Sequence, residues 1–221
     1  MTILITGANR GIGRALLDGY IAEGAETIGT ARGALPEGAG WQPLDVTDPA
    51  SAKALAARLA GQPINTLICN AGVYADKGQR LEHGYPADIW AESFAVNVTG
   101  VFLTVQALLP NLRAAAADGL ARIAIISSQM ASHTRAPGGS YAYRASKAAA
   151  LNLGRNLATD LRAERIAVGI YHPGWVQTEM GGPSAEIPVE VAAAGLRARF
   201  AALSMATTGC FETWDGQPHA Y

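Results

Sequence analysis

The run Ile3-Leu4-Ile5 leads directly into Thr6-Gly-Ala-Asn-Arg-Gly-Ile-Gly13, and this junction constrains the fold most. A short apolar strand that ends in three closely spaced glycines and then enters a helix describes one local structure. Glycine at positions 7, 11 and 13 permits a tight turn and lets the backbone approach a ligand, while the first N–H groups of the following helix are free to face an anion. The Gly-x-x-x-Gly-x-Gly spacing differs from the general dinucleotide fingerprint but does the same physical work.

Short apolar runs recur at Ile3–Ile5, Thr27–Thr30, Thr66–Cys69, Ile123–Ile126 and Ala167–Tyr171, separated by alanine- and leucine-rich stretches with helical character. Asp48 and Pro49 suit the N-cap and first turn of one such helix. The runs lack polar alternation, as strands covered on both faces do. The expectation is an α/β fold: a single domain over residues 1–221, built as a Rossmann-type doubly wound parallel sheet flanked by helices on both faces. Such a sheet binds ligands at the carboxyl ends of its strands, where the chain order reverses. Asn70-Ala-Gly72, Ser127-Ser128 and Pro173-Gly174 each follow an apolar run, so they converge on that edge.

The 221 residues carry 17 Lys plus Arg against 18 Asp plus Glu, a formal charge of -1. Without a basic stripe, neither nucleic acid nor an anionic membrane is an expected partner, and a small molecule is. No apolar run reaches the roughly 20 residues of a membrane span, and the chain opens on a strand with no room for a leader, so a soluble, cytoplasmic protein is expected. Cys69 ends an apolar run and Cys210 lies in a similar late segment. Neither has neighbours at metal-ligand spacing, and no metal site is expected.

Tyr143 and Lys147 stand four residues apart, which stacks a phenol and an ammonium on one helix face. Together with the glycine turn, Asn70-Ala-Gly72, the serine pair and Pro173-Gly174, this spacing resembles the short-chain dehydrogenase/reductase family from Thr2 to about Gly216. Ser127-Ser-Gln-Met-Ala-Ser132, Tyr143-Arg-Ala-Ser-Lys147 and Pro173-Gly-Trp-Val-Gln-Thr-Glu-Met-Gly-Gly182 resemble its compact C-factor-like and carbonyl-reductase-like members. The resemblance implies a nicotinamide cofactor held by Gly7, Asn9, Arg10, Gly11, Ile12 and Gly13. It also implies Asp45 facing the adenine amine beside Val46, and Asn70, Ala71 and Gly72 packed beside the adenine ribose. Asn70 could equally be structural. Pro173, Gly174, Val176 and Thr178 would fix the nicotinamide carboxamide, and Trp175 is read as a packing residue.

The family's NAD users place an acid at the end of the second strand, where this chain has Ala31, with Arg32 beside it. A carboxylate would repel a 2′-phosphate, whereas a guanidinium binds it with paired, charge-assisted hydrogen bonds. Arg10 can add a second positive charge. NADP(H) is therefore the expected cofactor, against the alternative that both arginines are solvated surface residues.

A phenol titrates near pH 10 unperturbed, and a nearby ammonium favours the phenolate. Tyr143 is thus expected as general acid in ketone reduction and general base in alcohol oxidation, with its pKa lowered by Lys147. The resemblance gives Lys147 the nicotinamide ribose as a second partner and matches Ser128 to the serine that holds the substrate oxygen. Ser127 competes, but adjacent strand residues point to opposite faces, so only one can aim at the cleft. Asn97 matches the fourth relay residue, its side chain holding a water beside the lysine in a kinked, hydrated helix. Tyr141 lacks a lysine four residues on, and His83, His133, His172 and His219 are not catalytic candidates.

The segment His133–Ser140 reads as a small insertion, Met180–Val189 as a short lid over an open pocket, and Gln217–Tyr221 as an atypical tail. Val98–Leu112 is apolar over more than one helical stripe. With the resemblance, that implies a homodimer or homotetramer. The reading is an NADPH-preferring oxidoreductase acting on an aldehyde or ketone, or on a secondary alcohol in reverse. The rival is an NADP-binding regulatory or signalling protein of the same fold with incidental turnover.

Overall fold

The computed structural model describes residues 1–38 and 40–221. Its elements in chain order are β1 (Thr2–Ile5), α1 (Gly11–Ala22), β2 (Glu26–Ala31), β3 (Trp41–Pro43), α2 (Pro49–Arg58), β4 (Thr66–Cys69) and α3 (Ala87–Phe94). They continue with α4 (Gly100–Ala117), β5 (Ala121–Ile126), α5 (Tyr141–Asp160), β6 (Ile166–His172), α6 (Val189–Ala202) and β7 (Phe211–Thr213). Among the described residues the strands form one parallel sheet in the order β3-β2-β1-β4-β5-β6-β7. The order reverses between β1 and β4, which places the crevice at their carboxyl ends.

The strands are apolar throughout because each feeds two cores by period-2 alternation. Leu4, Leu67, Ile123 and Ile125 face one side, where Leu55 of α2 and Val101, Val105, Leu108 and Leu112 of α4 cover them. Ile3, Ile5, Ile68, Ala124 and Ile126 face the other, under Leu16, Leu17 and Tyr20 of α1 and Leu196 and Phe200 of α6. Each large side chain so buried contributes about 1.5–3 kcal/mol. Asp48 caps α2 through its side chain, accepting from the Ala50 amide at 2.9 Å, with Pro49 in the first turn.

Three expectations are corrected here. The sheet has two further strands, β3 and β7, of three residues each. The continuous helical stretch Ala87–Ala117 is long and apolar enough, by length and composition, to cross a membrane. In this fold its apolar face packs on the sheet. Trp175 is not packed inside: it is 45% exposed and donates from its indole nitrogen to the Gly181 carbonyl at 3.0 Å.

The tail from Gln217 folds back on β7. The Glu212–Pro218 pairing is antiparallel, His219 donates its amide to the Phe211 carbonyl at 2.8 Å, and the Arg155 guanidinium lies over the Tyr221 ring.

Candidate active site

Thr6 and Asn70 pin the crevice open at the point of strand reversal. The Asn70 and Ala71 amides both donate to the Thr6 hydroxyl at 3.0 Å, and the Asn70 amide nitrogen donates to the Thr6 and Gly7 carbonyls at 3.0 Å. Asn70 therefore braces the glycine turn as well as lining the cavity. Gly7 has φ +63°, and a Cβ there would lie 3.0 Å from the Ala71 Cα, so the turn and the segment just after β4 touch backbone to backbone. The helix that follows has no side-chain cap at Arg10 and no acid in its first turn. Its first N–H groups open on a cavity of about 870 Å³.

Gly7, Asn9, Arg10, Gly11 and Ile12 line that cavity, as do Ala31, Arg32, Leu44 and Val46. Asn70, Ala71 and Gly72 line it too, with Tyr143, Lys147, Pro173 and Thr178. Gly13, Asp45, Asn97, Ser128, Gly174 and Val176 fall outside this lining. Gly13 sits behind the turn, against Gly7 and Asn70. Asp45 is engaged by its own turn, its Oδ1 accepting from the Thr47 amide at 2.9 Å and hydroxyl at 2.7 Å. Those bonds first, and Arg32 after them, hold its pKa below the usual carboxylate range. Arg10 pairs with Glu179 across the cavity mouth.

Tyr143 and Lys147 are 7% and 5% exposed. The lysine Nζ lies 5.7 Å from the centroid of the Tyr143 ring and donates to the Ile126 carbonyl at 2.9 Å. Burial pushes Lys147 down to about 8. It pushes Tyr143 well above the ordinary phenol value, and the Ser128 hydroxyl offsets only part of that rise, while Tyr74 and Asp76 add to it. This corrects the expectation of a tyrosine lowered by its lysine. Desolvation of the phenolate outweighs an ammonium that is itself buried and bonded to a carbonyl.

The serine pair divides, with Ser127 rather than Ser128 in the cavity lining. Ser127 donates to the Lys147 carbonyl at 3.0 Å and so ties β5 to α5. Ser128 lies beside the Tyr143 phenol and accepts from the Met130 amide at 3.1 Å.

Asn97 sits in a π-helical turn, Ala95–Thr99, which is the expected kink. Its side chain is engaged by protein, and its Oδ1 and the Lys147 Nζ both border Gly72, 3.2 and 3.4 Å from where a Cβ there would stand. The amide nitrogen donates to the Val73 carbonyl and the Ser146 hydroxyl at 3.0 Å, and Oδ1 accepts from the Val73 amide at 2.9 Å. Val73 begins the segment after Gly72, so Asn97 fixes the cavity floor.

Val176 is buried and pairs with Ile187, which folds the Met180–Val189 segment back over its own start. The Thr178 hydroxyl accepts from the Gly181 amide at 3.1 Å, and Thr178 Cγ2 lies over Gly11. The buried His172 accepts from the Gly174 amide, and burial lowers its pKa to about 4.

Sequence reasoning missed the segment after Gly72. Tyr74, Ala75 and Lys77 line the cavity, the Tyr74 ring stacks on Tyr143, and Lys77 donates to the Met180 carbonyl at 2.9 Å, bridging the mouth. No local pattern marks them.

Two buried, adjacent proton-carrying groups and an uncapped helix start on one cavity suit a cofactor-dependent redox reaction. The chain belongs to the short chain dehydrogenase family, which it matches over residues 1–187. It is 38% identical over 165 residues to the C-signal of Myxococcus xanthus, covering 74% of this chain and 96% of that protein. Among solved structures it resembles the NADPH-bound carbonyl reductase from chicken fatty liver (33% identity, TM-score 0.89, 100% of this chain and 98% of that one). It also resembles the carbonyl reductase Sniffer of D. melanogaster (29% identity, TM-score 0.92, 100% and 99%).

Proposed function

We propose that this protein is an NADPH-preferring reductase of aldehydes and ketones, able to run in reverse on secondary alcohols, with Tyr143 as general acid and base. One observation carries the reading: the buried Tyr143 and Lys147 line the same cavity as the uncapped start of α1. The likeness to a carbonyl reductase that carries NADPH supports it.

The residues present fit a dinucleotide. The uncapped N–H groups of α1 suit a pyrophosphate, and Ala31 leaves no carboxylate against a 2′-phosphate, with the exposed Arg32 beside it. Gly7, Asn9, Arg10, Gly11, Ile12 and Gly13 would form the cradle, Val46, Asn70, Ala71 and Gly72 the adenosine side. Pro173, Gly174, Val176 and Thr178 would frame the nicotinamide side. When bound, the reduced cofactor supplies the hydride.

The chain supplies the proton. At neutral pH burial keeps the Tyr143 phenol protonated and ready to donate to a substrate oxygen, while the Ser128 hydroxyl beside it holds that oxygen in place. Lys147 keeps a positive charge near the phenol and offers its remaining donors to the cavity. Asn97 acts by fixing the Val73 backbone beneath it. The reading extends to one domain over residues 1–221, a cytoplasmic location and a small-molecule partner. NADPH oxidation against a panel of aldehydes and ketones tests it. Turnover of at least one carbonyl is expected, whereas tight NADPH binding with no turnover would favour the regulatory reading.

A further inference from the structure

Helix α5 carries Tyr143 and Lys147, yet it starts without a local cap. Ser140, at the capping position, has a left-handed backbone (φ 50°, ψ 43°) and makes no capping bond. Its hydroxyl is paired instead with that of Tyr74.

The cap comes from the loop after β4. Asp76, 1% exposed, accepts through Oδ2 from the Ala142 amide at 2.8 Å and from the Tyr143 amide at 3.3 Å. Its other oxygen, Oδ1, is buried with no partner among the described residues. A half-satisfied buried carboxylate is costly, and the free N–H groups and dipole at a helix start are what offset it. A serine cap would need no buried charge, so placing one beneath the phenol has a consequence for the phenol.

We propose that Asp76 is a positioning residue for the proton donor: its carboxylate fixes the first turn of α5, and with it the Tyr143 side chain, while setting a negative charge beside that side chain. Tyr74 and Asp76 bear on Tyr143 from the loop after β4, Ser128 from the end of β5, and Lys147 from α5 itself. Asp76 raises the Tyr143 pKa whereas the Lys147 ammonium, 5.7 Å from the ring centroid, favours the phenolate, so the two charges act on the phenol with opposite sign.

This inference rests on the proposed reductase function. Its test uses the intact protein with Asp76→Ala and Asp76→Asn. The measurements are thermal melting, NADPH affinity by fluorescence titration, kcat and KM for a carbonyl that the wild type reduces, and the pH profile of alcohol oxidation.

Asp76→Ala is expected to lower kcat on the order of 10- to 100-fold, as misplacement of a reacting group does, with NADPH affinity held within about twofold because Asp76 is outside the cavity lining. Asp76→Asn keeps an oxygen that can accept the same amides. It should restore most of kcat, while loss of the negative charge moves the rising limb of oxidation, where the phenol must lose its proton, to lower pH. Unchanged kcat in Asp76→Ala, or equal losses in both variants with an unmoved limb, would overturn the inference. So would loss of cooperative melting in both, which would make Asp76 a residue of the fold alone. An inactive wild type, or an active Tyr143→Phe, would instead defeat the reductase reading.

Discussion

The ring of Tyr74 lies over that of Tyr143, with centroids 4.2 Å apart and planes inclined by 21°. Such a stack contributes about 0.5–1.5 kcal/mol beyond its buried area, and it walls the phenol from water on one side. Tyr74→Ala is therefore predicted to loosen the Tyr143 ring, admit water and lower kcat by roughly tenfold, while moving the oxidation limb to lower pH. Tyr74→Phe keeps the stack and loses only the contact with Ser140, so most activity should survive. Steady-state kinetics on both variants separates ring from hydroxyl, and equal losses would show that the hydroxyl matters.

Cofactor choice should rest on charge at the end of β2. Replacing Arg32 by Gln is predicted to weaken NADPH binding by about 1.5–3 kcal/mol, the range for hydrogen bonds to charged groups, with NADH use almost unchanged. Ala31→Asp should move preference toward NADH. Because Arg10 is paired with Glu179, Glu179→Gln should release it and tighten NADPH binding. The ratio of kcat/KM for the two cofactors is the readout. A wild type that uses both equally would show that the 2′-phosphate is not read here.

Lys147 makes stability depend on pH. Its folded pKa, about 8, lies below its ordinary 10.5, so between those values the unfolded chain binds more protons and this residue's contribution to stability rises with pH. Below pH 8 the full penalty is present, on the order of 3 kcal/mol at most. Lys147→Met is predicted to be more stable than wild type at pH 7, by roughly 1–3 kcal/mol, with the gap closing towards pH 10. Above that, the buried tyrosines, raised rather than lowered, act with the opposite sign. Urea titrations at three pH values check this. A gap independent of pH would mean that the fold leaves the lysine's pKa unshifted.

A homodimer or homotetramer is expected through α4 and α5. On α4, Phe102 is 41% exposed, and an aromatic in the centre of an interface carries much of its energy. Light scattering at micromolar concentration should give a multiple of the monomer mass, and Phe102→Asp should reduce it. A monomer mass for the wild type would contradict the proposal.

What was legible in the sequence follows the range of the interactions. Leu4, Leu67 and Ile123 announce buried strands because apolar runs are local, and the Asp48-Pro49 cap was legible for the same reason. Strands β3 and β7 were not, since three residues containing Pro43 or Glu212 carry no period and pair only because the sheet edge is there to receive them.

The four-residue spacing of Tyr143 and Lys147 brought the pair together as read. The direction of the Tyr143 shift was not legible, because burial depth belongs to the packed fold. Asp76 and Tyr74 reach Tyr143 across more than sixty residues of chain, and the π-helical turn leaves Asn97 bonded to Val73, a partner that only the fold supplies.

The most direct test is Tyr143→Phe, assayed for NADPH oxidation with a carbonyl that the wild type reduces and for NADPH affinity by fluorescence. Removing one hydroxyl that is not part of the phosphate cradle should leave affinity within about twofold while kcat falls by roughly 10² to 10⁴, the contribution of a positioned proton donor. Activity in the Phe variant comparable to wild type would contradict the assignment of Tyr143 as the proton donor.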